Sequence, residues 1–192
     1  MTAVLDPFLP NPDVRERHET IVHAPAELVL EVARKFDMES IPLVRAIFWL
    51  RASLMGARTG SARPRGVVPE SMTSMGWGLL AEQPGQFFVA GAACQPWQAD
   101  VVFTPIAPAL FASYALPDRV KIAWTLETEA LRPAVTRFAT ETRAAATNGP
   151  SRARFRRYWR FARIGIVAIR WLLVPGIRRE AERRWRTAAA AR

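Results

Sequence analysis

Few residues in this 192-residue chain could do chemistry, and their spacing narrows the choice further. The two histidines, His18 and His23, lie five apart in a segment that alternates like a strand, so their side chains leave opposite faces. They can neither share a metal ion nor form a local acid–base pair. The single cysteine, Cys94, follows Gly-Ala-Ala and reads as a small buried apolar group; alone it allows no internal disulfide and builds no zinc site, a usage that suits a reducing cytoplasm. A Gly-x-Ser-x-Gly elbow, a glycine-rich phosphate loop and a metal-spaced Cys/His/Asp set are all missing from the sequence. No catalytic residue, metal or cofactor is therefore assigned. Glu141 and Arg143 are two apart on a strand-like run and share a face with Arg137. A cross-strand ion pair with Glu127 or Glu129 accounts for them; a ligand role would require that charged face to turn inward, where an isolated charge is costly.

The aromatic residues give the better candidates for binding. Trp77, Phe88, Trp97, Phe103, Trp124, Phe138, Phe155 and Trp159 are spread over elements that converge on one interior. A cavity lined by such side chains with few polar groups is how small-molecule sites are usually built. The competing reading is a filled core, since aromatics at strand and helix spacing pack against one another more often than they touch a ligand.

Those aromatics must be positioned by the elements the pattern predicts. From Ser151 to Trp185, apolar residues recur every three or four positions (Phe155, Trp159, Ala162, Ile166, Ile169, Leu173, Ile177, Ala181, Trp185), which draws a stripe along one long helix capped by Ser151. Pro175-Gly176 is a place where that helix could break. Ahead of it, Arg15 to His23 reads as a strand and Ala24-Pro25-Ala26 opens a short helix. Ser40 and Pro42 open a second helix, and Gly56 to Pro69 reads as a loop able to gate a pocket. Trp77–Gln83 and Gln86–Ala93 flank the turn Pro84-Gly85, and Ala109–Ala115 suits a short helix. Val120–Leu126 and Thr136–Ala146 alternate as strands, each with one dry and one wet face. The fold class that follows is α+β: a curved antiparallel sheet wrapped around a long C-terminal helix, with two short helices after the first strand.

The net charge of +10 belongs almost wholly to that last helix. Residues 1–149 hold 14 basic and 15 acidic side chains, whereas residues 150–192 hold 13 arginines against Glu180 and Glu182. Nucleic acid is disfavoured as a partner, because no recognition motif accompanies the charge and the rest of the chain is not basic. An anionic membrane surface meeting the arginine face of that helix (Arg152, Arg156, Arg160, Arg163, Arg170, Arg178 and Arg179, with Arg183, Arg184 and Arg186 beyond) is the alternative use, one that neutralising Arg178, Arg179, Arg183 and Arg184 should abolish; a solvated face complementing the helix dipole is the plain one. The N-terminus carries prolines and no basic start before an apolar core, which argues against a signal peptide and for a cytoplasmic location. Ile164 to Ile177 is too short for a membrane span and contains Arg170.

Thr20-Ile21-Val22-His23-Ala24-Pro25-Ala26-Glu27, with Val32 beyond, is similar to the first strand and helix of the START-like, or SRPBCC, helix-grip superfamily, whose members include polyketide cyclase/dehydrase-like proteins. Thr140-Glu141-Thr142-Arg143, Ser151-Arg152, Phe155 and Tyr158-Trp159 resemble an uncharacterised bacterial branch of it. The resemblance spans Arg15 to Trp185 and implies a hydrophobic cavity between sheet and terminal helix that binds a lipid, polyketide or aromatic molecule. It divides the chain into an N-terminal extension (1–14), a single ligand-binding domain (15–187) and a disordered tail (188–192). Non-catalytic binding is the first expectation. A cyclase- or dehydratase-like reaction in the same cavity and a peripheral membrane or assembly factor are the alternatives.

Overall fold

The computed structural model describes residues 3–37, 41–56 and 76–191. Polar and branched residues alternate through β1 (Val14–Val22), and α1 (Ala26–Lys35) follows the Ala-Pro signal, burying Val29, Leu30, Val32 and Ala33. Glu27 in the first turn of α1 and Arg34 and Lys35 in its last complement the helix dipole. α2 (Pro42–Met55) opens on its proline, where a missing N–H costs nothing. Ser40, expected to cap α2, and most of the Gly56–Pro69 loop lie outside the described residues. β2 (Gly78–Gln83) and β3 (Phe87–Cys94) form a hairpin whose turn places Gly85 at φ +71°, a conformation that favours glycine. Then come β4 (Thr104–Pro105), α3 (Pro108–Phe111), β5 (Val120–Arg132), β6 (Val135–Ala146) and α4 (Gly149–Ala190).

The strands make one antiparallel sheet in the order β1-β6-β5-β3-β2, with β4 also paired to β3. With the long terminal helix on one face, this is the expected α+β helix-grip arrangement. Three details differ from the sequence reading. Asn148, not Ser151, caps α4: its side-chain oxygen accepts from the Ser151 N–H at 2.8 Å, and Ser151 Oγ accepts from the Asn148 N–H at 3.1 Å. Ser151 is thus the second half of a reciprocal capping box. Next, α4 runs unbroken through Pro175-Gly176. Pro175 sits on the exposed side, while Gly176 admits the ring of Phe36, whose Cζ would lie 2.8 Å from an added Cβ. Finally, α4 continues through Ala188–Ala190, where alanine's high helix propensity carries it into the segment set apart as a tail.

The face of the sheet expected to be wet is dry over β3, most of β5 and the end of β6, while Arg15 and Glu19 of β1 remain exposed on it and Arg137 of β6 is half-buried. Leu5 and Leu9 from the N-terminal segment, with Phe111 of α3 and Ile106, cover the dry part and pack on Leu80, Val89, Ala93 and Ala123. Beneath that cover Glu141 and Arg143 are only 1% and 2% exposed. They tolerate burial because they are paired: Arg143 Nε donates to Glu141 at 2.6 Å, and its Nη1 donates to Asp6 at 2.7 Å and to the Leu9 carbonyl at 2.8 Å. Glu141 also meets Arg15 at 2.9 Å and Arg17 at 3.2 Å. The partners expected for this pair go elsewhere, Glu127 to Arg17 and Glu129 to Arg137. Lys121 turns its Nζ to the carbonyls of Phe111 and Ala112, closing the last turn of α3, and burial lowers its pKa.

Candidate ligand site between sheet and terminal helix

The register defines rows of side chains on the face beneath α4. One row runs Glu16, Thr142, Trp124, Ala90; the next runs His18, Thr140, Leu126, Phe88. α4 crosses these rows and is anchored at two places. Phe155 packs with Trp97, Val120, Ala144 and Trp159, while Val174, Ile177 and Ala181 pack with Val22, Val29 and Phe138. Between the anchors, from Arg156 to Leu173, no residue of the helix is buried, although Ala162, Ile166, Ile169 and Leu173 carry the apolar stripe there.

Polar atoms without partners lie on this middle stretch. Arg170 donates through one terminal nitrogen to the Thr142 hydroxyl, while its other, Nη1, is buried with no hydrogen-bond partner. The Trp124 indole N–H and His18 Nε2 share that condition. Trp124 pairs directly with Thr142 across β5 and β6, and Glu16, beyond Thr142, is two residues from His18. Glu16 is already engaged by Arg163 at 3.3 Å and does not neutralise Arg170 by contact.

Burial lowers the pKa of His18, the charge of Arg170 lowers it further, and Glu16 offsets part of the effect, so the imidazole is neutral near pH 7. Burial works against the charge of Arg170 as well, offset only in part by Glu16. A guanidinium does not discharge in proteins, so the cost of desolvating it persists until an acceptor arrives. An unmade hydrogen bond at a buried donor costs about 1–3 kcal/mol, more for a charged group. The site therefore offers two fixed donors, an imidazole able to donate or accept, and apolar walls at both ends. It suits an oxygen-bearing, preferably anionic, group attached to an apolar body. Among the described residues no three of His, Cys, Asp and Glu gather as metal ligands.

The eight aromatics divide between the two anchors. Trp77, Phe88, Trp124 and Phe138 belong to the cluster at the C-terminal end of α4, with Phe88 and Trp124 5.7 Å apart. Trp97, Phe155 and Trp159 form the other. Phe103 stacks on Trp77 at 4.8 Å. Phe88, Phe138 and Phe155 are buried, whereas Trp77, Trp97, Phe103, Trp124 and Trp159 are half-buried. Two open depressions beside the C-terminal half of α4, one at Phe36 and Leu172 and one at Val135 and Trp185, touch none of the eight. Sequence pattern alone singles out neither Arg170 nor Thr142 as a binding residue and offers His18 no partner. The available signals were that Arg170 lies four residues from both Ile166 and Val174, in line with the stripe, and that His18 shares the inward parity of Val14 and Val22.

No protein-family profile matches the chain, and no curated protein matches it. Among solved structures it is similar to the hypothetical protein jhp0584 from Helicobacter pylori, at 9% identity and a TM-score of 0.46 over 94% of this chain and 97% of that one. It is also similar to the Zhui aromatase/cyclase from Streptomyces sp. R1128, at 13% identity and a TM-score of 0.30 over 89% of this chain and 94% of that one. Likenesses this loose carry no weight for function, and the architecture rests on the sheet order and the helix described above.

Proposed function

We propose that this START-like chain binds an amphipathic small molecule between the sheet and the middle of α4, with the apolar body between the aromatic clusters and an oxygen-bearing head at Arg170, Trp124 and His18. The observation that supports it most is the stretch from Arg156 to Leu173, where an apolar stripe faces the sheet without being buried and a guanidinium nitrogen has no partner. Burial of the ligand's body contributes roughly 25 cal/mol per Å² of apolar surface, and the head relieves three unmet hydrogen bonds. A catalytic reading, a cyclase- or dehydratase-like step, is favoured by one detail: a neutral histidine beside a fixed cation could move a proton next to a developing oxyanion.

Native mass spectrometry of the protein purified from its own cells, followed by solvent extraction, tests binding. The expected result is a stoichiometric amphipathic molecule that is absent from Arg170→Met. A protein that is empty and also takes up no fatty-acid or aromatic-acid probe would overturn the proposal.

A further inference from the structure

A separate surface, formed where α2 crosses α4, combines exposed apolar groups with unopposed positive charge. The two helices touch at Gly165, where an added Cβ would lie 3.1 Å from Ile47 Cγ2. Around that crossing the large apolar side chains face solvent. Phe161, one turn before Gly165, is 70% exposed, and Ile164 and Trp171, two turns apart on one ridge, are 77% and 70% exposed. On α2, Leu43 and Leu50 lie four before and three after Ile47, on its face, and both are exposed, as is Trp49. Single exposed apolar residues need no explanation, but several gathered on two touching helices mark a contact surface.

The charge around this surface is of one sign. From Gly149 to Arg179 there are nine arginines and no acidic residue. Arg152, Arg154 and Arg163 are paired with Asp13, Asp118 and Glu16, and Arg170 turns to the sheet, which leaves Arg156, Arg157 and Arg160 as the charge of this surface, with Arg45 exposed on α2. Arg156, Arg157 and Arg160 are exposed beside the apolar ridge, and the Arg160 guanidinium lies 5.3 Å from the centre of the Phe161 ring; Arg163, also exposed, is paired with Glu16. The arginines nearer the C-terminus are differently placed. Arg178 pairs with Glu182 at 3.2 Å, and Arg183 and Arg184 pair with Glu180 at 2.8 and 2.7 Å. Their charge is largely answered within the helix.

We propose that the α2–α4 surface docks on an anionic lipid bilayer, with Phe161, Ile164, Trp171, Leu43 and Leu50 entering the headgroup–acyl boundary and Arg156, Arg157 and Arg160 meeting lipid phosphates. Charge decides this partner over a second copy of the chain: two copies meeting here would set arginine against arginine, whereas anionic headgroups supply counter-charge and the bilayer accepts the apolar ridge. The helices lie on the membrane and do not cross it; no helix among the described residues is long and apolar enough to span one.

Vesicle co-sedimentation of the full chain tests the proposal. Vesicles of phosphatidylcholine mixed with phosphatidylglycerol should bind the protein at least about tenfold more tightly than phosphatidylcholine alone, with binding that weakens as salt rises. Ile164→Ser/Trp171→Ser, both at exposed positions, should unfold at the wild-type urea midpoint yet lose vesicle binding by about tenfold or more. Arg156→Gln/Arg157→Gln/Arg160→Gln should lose the preference for phosphatidylglycerol. Arg178→Gln/Arg183→Gln/Arg184→Gln should retain it. Wild-type partitioning by Ile164→Ser/Trp171→Ser would overturn the assignment, as would loss of binding in the Arg178/Arg183/Arg184 variant alone. A dimer in solution that Ile164→Ser/Trp171→Ser returns to monomer, with no vesicle binding by wild type, would give the surface to a second copy instead.

Discussion

Replacing Arg143 by leucine removes a cation that is 2% exposed and holds three groups at once: Glu141 at 2.6 Å, Asp6 at 2.7 Å and the Leu9 carbonyl at 2.8 Å. Breaking a buried pair from one side costs about 3–5 kcal/mol, because the remaining charge stays buried. The stranded Leu9 carbonyl alone accounts for about 1–3 kcal/mol of such a loss. Arg15 and Arg17 still reach Glu141 at 2.9 and 3.2 Å, so the total stays within the first range and the two figures do not add. With a urea m-value of about 2 kcal/mol/M, Arg143→Leu should lower the unfolding midpoint by roughly 2 M. The double variant Glu141→Leu/Arg143→Leu should unfold at a higher midpoint than Arg143→Leu, since it removes the stranded carboxylate as well. The acid side carries a further signature. Burial raises the pKa of Glu141, but hydrogen bonds from Arg143 and Arg15 and their charges outweigh it, and the net pKa lies below the ordinary value. A depressed carboxylate stabilises the fold fully above its unfolded pKa of about 4.3 and loses that contribution as pH falls through its folded value. The wild type should therefore weaken on acidification through that window, and Arg143→Leu should flatten the decline. A midpoint shift below about 0.5 M, or a double variant as unstable as the two single losses combined, would refute the reasoning.

Trp124→Phe keeps a ring beside Phe88 and removes an unpartnered buried N–H, so urea unfolding should place its stability within about 1 kcal/mol of wild type, while titration with a fatty-acid probe shows affinity reduced roughly two- to tenfold. His18 has its folded pKa lowered by burial and Arg170, so the unfolded chain binds the extra proton more readily; stability should fall as pH drops below about 6.5 toward the folded value, and His18→Gln should remove that slope from urea midpoints measured across the window. Protonating His18 also adds a second cation to the site, so the probe's carboxylate should bind more tightly over the same range in wild type and not in His18→Gln. Asn148→Ala deletes the N-cap of α4 and should cost about 0.5–2 kcal/mol in the same urea assay, with Ser151→Ala smaller because it removes only the returning half of the box.

The strands and helices were legible because their periods are clean: the three- and four-residue recurrence from Phe155 to Trp185 and the alternation in Val120–Leu126 each had one structural solution. What covers the sheet was not legible. Leu5 and Leu9 sit among prolines and give no periodic signal, so the part of the charged face that they cover reads as wet in the sequence. Glu141 and Arg143 pair with each other, two apart on β6, but their further partners come from β1 and residue 6, contacts that no local pattern encodes. The candidate site was half legible. The aromatics of the two packed clusters stand out by type, while Arg170 is one arginine among thirteen in its stretch and differs from the rest only by its angle on the helix. Asn148 displaced Ser151 as cap because the side chain before Gly-Pro reaches forward to the third helical residue, a choice between neighbours that the sequence leaves open.

The most direct measurement is a fluorescence titration of wild type and Arg170→Met with cis-parinaric acid and with its methyl ester. The two probes share one apolar body and differ in the charge of the head. A hydrogen bond to a charged group contributes about 1.5–3 kcal/mol, so the wild type should prefer the acid by roughly 10- to 150-fold. In Arg170→Met that preference should vanish while the ester binds as before. Equal affinity of wild type for acid and ester, or an acid preference that survives Arg170→Met, would contradict a ligand head seated at Arg170. Failure of both probes to bind wild type would contradict the proposal that the space between sheet and helix binds a ligand.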